Sequence, residues 1–118
     1  MVIEGTAFGT ITIDGVTYEH DVVIRPSGEV AKRKKKLSKK EYGTSHIVSA
    51  KEIKFTHQEG SRLLVVGTGQ YDRLRLSDEA QKYLKKKNCA VIAGPTPDAI
   101  QVFNNSEPGT IALMHVTC

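Results

Sequence analysis

The chain has 118 residues, 39% of them hydrophobic and 25% charged, with a formal net charge of +4. This suits one domain, residues 1–118, that buries roughly two-thirds of the surface its unfolded form exposes, and it excludes a disordered chain. No apolar run is long enough for a membrane span, and the first residues lack the basic and apolar regions of a signal peptide.

Phe8 to Ile13 alternates, with Ile11 and Ile13 on one face, and Asp14-Gly15 suits a type I′ hairpin turn. Tyr18, His20, Val22 and Ile24 alternate in turn, so residues 8–24 are expected to form an antiparallel β-hairpin. Arg25-Pro26-Ser27-Gly28 reads as a turn, and Glu29 to about Lys36 as a third strand at a sheet edge, where lysines discourage pairing with other chains. Residues 32–40 hold seven of the 17 basic residues and no acidic one. The other ten, against 13 acidic residues, leave −3 for the remainder. The basicity is one local stripe. Residues 37–48 are expected to be irregular.

Ser49 followed by Glu52 is a capping box, and Val48 can staple onto Ile53, so a helix should start there and stop before Gly60. Leu63-Leu64-Val65-Val66 is continuously apolar, the mark of a central strand covered on both faces, and Gly67-Thr68-Gly69 ends it. Leu74 to Leu76 is a short extended piece. Ser77 caps a second helix with Asp78 and Glu79 in its first turn and three lysines in its last, and Asn88 is placed to stop it. Cys89 to Ala93 is expected to be another strand buried on both faces. Thr96 as N-cap and Pro97 at the first helical position open a short third helix. Thr110 to Cys118 is a final strand, with Ile111, Leu113 and His115 on one face and Ala112, Met114, Val116 and Cys118 on the other. Helix and strand alternate from residue 49 onward, which predicts an α/β core with helices on both faces of the sheet and an appended N-terminal β-hairpin.

Phe8-Gly9, Asp14-Gly15, Tyr18, Asp21-Val22 and Gly28 recur as an ordered set with Val66-Gly67-Thr68-Gly69 and Tyr83-Leu84-Lys85-Lys86. Pro95-Thr96, Ala99, Asn104 and His115-Val116-Thr117-Cys118 complete it. Over its whole length the chain resembles a small uncharacterised domain family. That family contains an archaeal structural-genomics protein, the mammalian adipogenesis-associated domain protein and a mitochondrial complex I assembly factor. The resemblance implies a three-layer α/β fold with a central mixed sheet, and no established reaction.

The chemical signals are few. Gly67-Thr68-Gly69 lacks the third glycine of a dinucleotide loop and is no Walker motif, so a tight turn is its bland reading. Residues three apart on a strand point to opposite faces, which separates His115 from Cys118 and leaves no Cys–His nucleophile. Cys89 and Cys118 give neither a disulfide framework nor metal-ligand spacing, and His20, His46 and His57 share no spacing either. No metal, no cofactor and a reducing, cytoplasmic compartment are therefore expected. The leading functional reading is a non-catalytic binding or assembly module whose partner is another protein. The alternative is an enzyme or sensor for a small anion held between the loops Gly67-Gly69 and Pro95-Pro97, with Gly67, Thr68, Gly69 and Thr96 as its contacts. Nucleic-acid contact through Lys34, Lys35 and Lys36 is the weakest reading, because only Tyr42 is nearby to stack on bases.

Overall fold

The N-terminal residues form an antiparallel meander: β1 (Ile3–Ala7), β2 (Thr10–Ile13) and β3 (Val16–Tyr18), in a computed structural model that describes residues 1–118. Asp14 and Gly15 both take positive φ, 48° and 81°, as the hairpin turn between β2 and β3 requires. The hairpin stops at Tyr18, short of the expected residue 24. Val22–Ile24 is a separate strand, β4, whose three side chains are all fully buried. A strand covered on both faces belongs inside a larger sheet, and β4 crosses to one. Ile3–Ala7 carries a single large apolar residue, so no alternation marks β1 in advance.

The remaining elements are β5 (Val30–Lys32), α1 (Lys35–Tyr42), β6 (Ile47–Val48), α2 (Ala50–Thr56), β7 (Leu63–Thr68) and β8 (Arg75–Leu76), followed by α3 (Asp78–Lys86), β9 (Ala90–Gly94), α4 (Thr96–Asn104) and β10 (Ile111–His115). Five strands form the central sheet in the order β5-β4-β10-β7-β9. β10, β7 and β9 run parallel, whereas β4 is antiparallel to both β10 and β5, so the sheet is mixed. β6 and β8 make a small parallel pair of their own.

Strand alternation divides the core into two layers. Val65, Ala112 and Met114 pack with Ile3, Ile11, Ile13, Ala99 and Ile100, so the meander and α4 cover one face. Leu64, Val66, Ile111 and Leu113 pack with Val48, Ile53, Ala80 and Leu84, so α2 and α3 cover the other. This is the three-layer α/β fold that was expected. No helix is long and apolar enough to cross a membrane.

Four local features differ from expectation. Residues 35–42, which looked strand-like or irregular, are helical; Gly43, at φ 74°, closes that helix. At α2, Ser49 Oγ accepts from the Glu52 N–H as a cap should, but Glu52 does not reach back. Its carboxylate has charged partners elsewhere, and Ser38 Oγ accepts the Ser49 N–H instead. Thr96 lies inside α4, with Pro95 as the boundary residue and no side-chain cap. Finally β9, read as buried on both faces, is an edge strand with Ile92 45% exposed. Its apolar sequence reflects no second neighbour in the sheet.

Candidate functional site

Thr68 and His115, the last residues of β7 and β10, are register partners, so the two strands end side by side. Beyond Thr68 the chain turns toward β8 and α3 on one face, while beyond His115 it runs out into the C-terminal residues. Such divergence at the carboxyl ends of parallel strands is where an α/β sheet leaves room for a site.

A chain of buried charges leads to this corner. Arg33, just beyond β5, is 3% exposed. Its Nε and Nη2 donate to the two carboxylate oxygens of Glu52 on α2, while Nη1 donates to Asp21 Oδ2 at 2.9 Å and Nη2 to the Ser45 carbonyl. Ser38 Oγ donates to Glu52 as well. Asp21, at the entrance to β4, accepts from His115 Nδ1 at 2.7 Å and from the Val116 N–H at 2.8 Å. Burial by itself would raise the Asp21 carboxyl. The bonds from His115, Val116 and Arg33 outweigh it and hold the group down at about 2. Burial likewise opposes the charge on Arg33, and Glu52 and then Asp21 overcome it, so that its pKa is raised. An ionised carboxylate only accepts, which makes Nδ1 the protonated ring nitrogen of His115 and aims Nε2 away from Asp21.

His115 and Cys118 are not separated as a regular strand would separate them. β10 ends at His115, and the last three residues are irregular. Three backbone donors from two loops fix them: the Gly9 N–H to Val116 O at 2.8 Å, the Gln70 N–H to Thr117 O at 2.7 Å and the Arg73 N–H to Cys118 O at 3.1 Å. Gly69, at φ 102°, makes this possible, because a Cβ there would stand 2.5 Å from the Cys118 carbonyl carbon and 2.7 Å from His115 Cδ2. The tail brings Cys118 Sγ to 3.6 Å from His46 Nε2, and the His46 ring meets His115 edge-on at 5.5 Å. Burial, then the charges of His115, Arg33 and Arg73, lower the pKa of His46. One donor atom from each of His46, His115 and Cys118 lies within 4.8 Å of the others. Sequence spacing could not show this set, since 72 residues separate His46 from Cys118.

The expected anion gap between Gly67-Gly69 and Pro95-Pro97 is closed. The two loops are neighbours, but they bond to each other. Thr96 is fully buried; its Oγ1 accepts from the Gly69 N–H at 2.9 Å and donates to His115 O at 2.6 Å. Its own N–H donates to Gly69 O at 3.1 Å, and the Asp98 and Ala99 N–H groups both turn to Pro95 O. Pro97 has no N–H, so the start of α4 offers no free donor to an anion. At Gly67 a Cβ would come within 2.7 Å of Met114 Sδ and 2.8 Å of Thr96 Oγ1. The glycines serve close packing. Thr68 donates to Asp72 and faces a different opening.

That opening is a cavity of about 700 Å³ between α3 and β9, on the helical face of the sheet. Val66, Leu74, Leu84, Val91 and Ala93 form its apolar lining, and Arg75, Lys82 and Lys85 stand at its rim. Asp72 at one end is paired with Arg75. Lys34, Lys35 and Lys36 lie across the molecule, beside the opposite sheet edge, and all three are exposed. Arg33, from the same basic run, belongs to the buried network.

Among solved structures the chain is similar to conserved hypothetical protein PH1505 from Pyrococcus horikoshii OT3, with 38% identity, complete coverage of both chains and a TM-score of 0.93. It is also similar to a protein named MT938, with 27% identity over 99% of this chain and 98% of that one and a TM-score of 0.85. An outer membrane protein from Bartonella henselae shares the fold alone, at 19% identity over 98% of this chain and 94% of its own, with a TM-score of 0.63. A comparison with curated proteins finds no match. The family model described as protein of unknown function (DUF498/DUF598) matches residues 3–107, and the chain belongs to that family.

Proposed function

We propose that this protein is a non-catalytic binding module that takes an extended segment of a partner protein along the free edge of β9. The edge itself carries the reading. β9 is Ala-Val-Ile-Ala-Gly, five residues without charge or proline, hydrogen-bonded to β7 on one side and to nothing on the other. Soluble proteins guard such edges with lysines, short strands or bulges. The opposite edge is guarded in that way, since β5 has three residues and ends in Lys32. The Ala90 N–H donates inward to Arg62 O, so the alternation of a parallel ladder turns the N–H and C=O of Val91 and Ala93 outward.

A strand added there would lay alternate side chains into the groove between β9 and α3. Main-chain bonds then give affinity and the groove gives selectivity. The cavity is too large for the Val91 and Ala93 side chains of a second copy to fill. Lys82, Lys85 and Arg75 call for acidic neighbours. The fitting occupant is an extended segment with a large apolar residue flanked by Asp or Glu. A family resemblance that takes in an assembly factor is in keeping with this role.

Selection from a random-peptide display library on the immobilised protein tests it. Enriched peptides should share an apolar residue with acidic flanks. Their binding should be lost in Ala93→Pro, which removes an outward N–H, and weakened in the double variant Lys82→Glu/Lys85→Glu. Binding indifferent to Ala93→Pro would overturn the proposal. So would a stable dimer of the wild type that Ile92→Lys dissociates, because the edge would then belong to a second copy.

A further inference from the structure

We infer that His46, His115 and Cys118 form a binding site for a single zinc-class divalent ion, with Asp21 as the partner that orients His115. Two imidazoles and a thiolate suit a borderline-soft first-row ion far better than magnesium or calcium, which take oxygen ligands. Metal-bound histidines characteristically donate their second ring N–H to a carboxylate, which fixes the ring and its tautomer. His115 Nδ1 does so to Asp21 at 2.7 Å. Its Nε2 is left with only a 3.4 Å contact to Thr117 Oγ1. That nitrogen, on a ring fixed by a buried carboxylate, is the second observation beside the clustering itself.

The spacing fits. A tetrahedral zinc about 2.3 Å from sulfur and about 2.0 Å from nitrogen holds its ligand atoms roughly 3.3–3.7 Å apart. Cys118 Sγ and His46 Nε2 are 3.6 Å apart, and the widest separation in the set is within 4.8 Å. Rotation of the half-buried Cys118 and His46 side chains, both outside regular strands, closes the difference. Binding replaces the thiol proton with the metal and releases that proton to solvent. Charge is balanced as well: Arg33 and Arg73 oppose a cation here, whereas Asp21 and the thiolate favour it. Three protein ligands leave a fourth position on the open side, so the ion could hold a water or a donor atom from outside the chain. Without metal, the same contact between Cys118 and His46 is a weak sulfur–imidazole hydrogen bond.

Protein stripped with a chelator and titrated with Zn²⁺ by calorimetry should take up one equivalent. Titration with Co²⁺ should give the d–d bands of a four-coordinate site together with a thiolate charge-transfer band. Cys118→Ser should lose the charge-transfer band, and both it and His46→Ala should weaken Zn²⁺ binding by about tenfold or more, the loss that even an outer-sphere partner brings. Both side chains are half-buried at the surface, and an unchanged thermal midpoint of the stripped variants separates loss of binding from loss of fold. Folded wild type that binds no Zn²⁺ stoichiometrically, or Cys118→Ser that binds it as wild type does, overturns the inference.

Discussion

Asp21 ties three parts of the molecule together through one carboxylate, accepting from Arg33 beyond β5, from His115 at the end of β10 and from the Val116 N–H. Its carboxyl lies at about 2 in the folded protein against an ordinary 3.8. The folded state therefore binds this proton less readily than the unfolded one. The resulting contribution, about 2 kcal/mol, is fully present above pH ~4 and is lost as the pH falls through about 2. Urea unfolding at a series of pH values should show this loss. Asp21→Asn should cost about 3–5 kcal/mol at pH 7, because it leaves Arg33 and His115 short of a buried charge partner. At pH 2 the same variant should differ far less from wild type. Equal destabilisation at both pH values would mean that the carboxylate charge is not what holds the network.

Among the elements, β10 holds the structure together. It lies between β4 and β7, all five of its side chains are buried, and its two faces belong to the two core layers. Leu113 is fully buried on the α2 and α3 side. Leu113→Ala should cost roughly 2–5 kcal/mol, from lost transfer energy and the cavity left behind, as read by denaturant midpoint. A change below about 1 kcal/mol would mean that the helical layer collapses into the gap, a softness that tightly packed interiors rarely show. The helices α2 and α3 depend on both caps and packing. Ser49 and Ser77 each accept an N–H in the first turn, but both helices are only a few residues long and owe their stability mainly to the sheet.

For the molecule as a whole, the two sheet edges differ in kind. At the β5 edge, Lys32, Lys34, Lys35 and Lys36 stand in solvent around the start of α1, and Lys34 also lies over the Phe55 ring at 5.5 Å. Such a cluster should adhere weakly to nucleic acid, with affinity falling steeply between about 50 and 200 mM salt as counterion release requires. Fluorescence anisotropy with a labelled oligonucleotide measures it. The triple variant Lys34→Glu/Lys35→Glu/Lys36→Glu should abolish binding while leaving the fold intact and the β9 edge unaffected. If wild type does not bind at low salt, the stripe is only a solvated surface.

Period and punctuation made much of this legible. The continuous apolar run of β7, the alternation of β10, the capping serines at 49 and 77 and the turn at Asp14-Gly15 are local signals. Each is set by the sterics and hydrogen bonding of a few neighbouring residues, so the sequence by itself determined those elements and, through their alternation, an α/β core with helices on both faces. Tertiary structure decided the rest. The run of α1 contains lysines and a single leucine and has no side-chain cap at its N-terminus, so its helicity depends on Ser38 reaching Glu52 and Ser49 across the fold. The apolar composition of β9 cannot distinguish a buried strand from an unguarded edge, because strand order is a property of the sheet. The closure of the loop at Gly69 onto Thr96, and of the tail onto Gly69, follows from backbone contacts between segments 27 to 49 residues apart in sequence. The same long-range packing gathers His46, His115, Cys118 and Asp21, which have no spacing in common, at the carboxyl ends of β7 and β10.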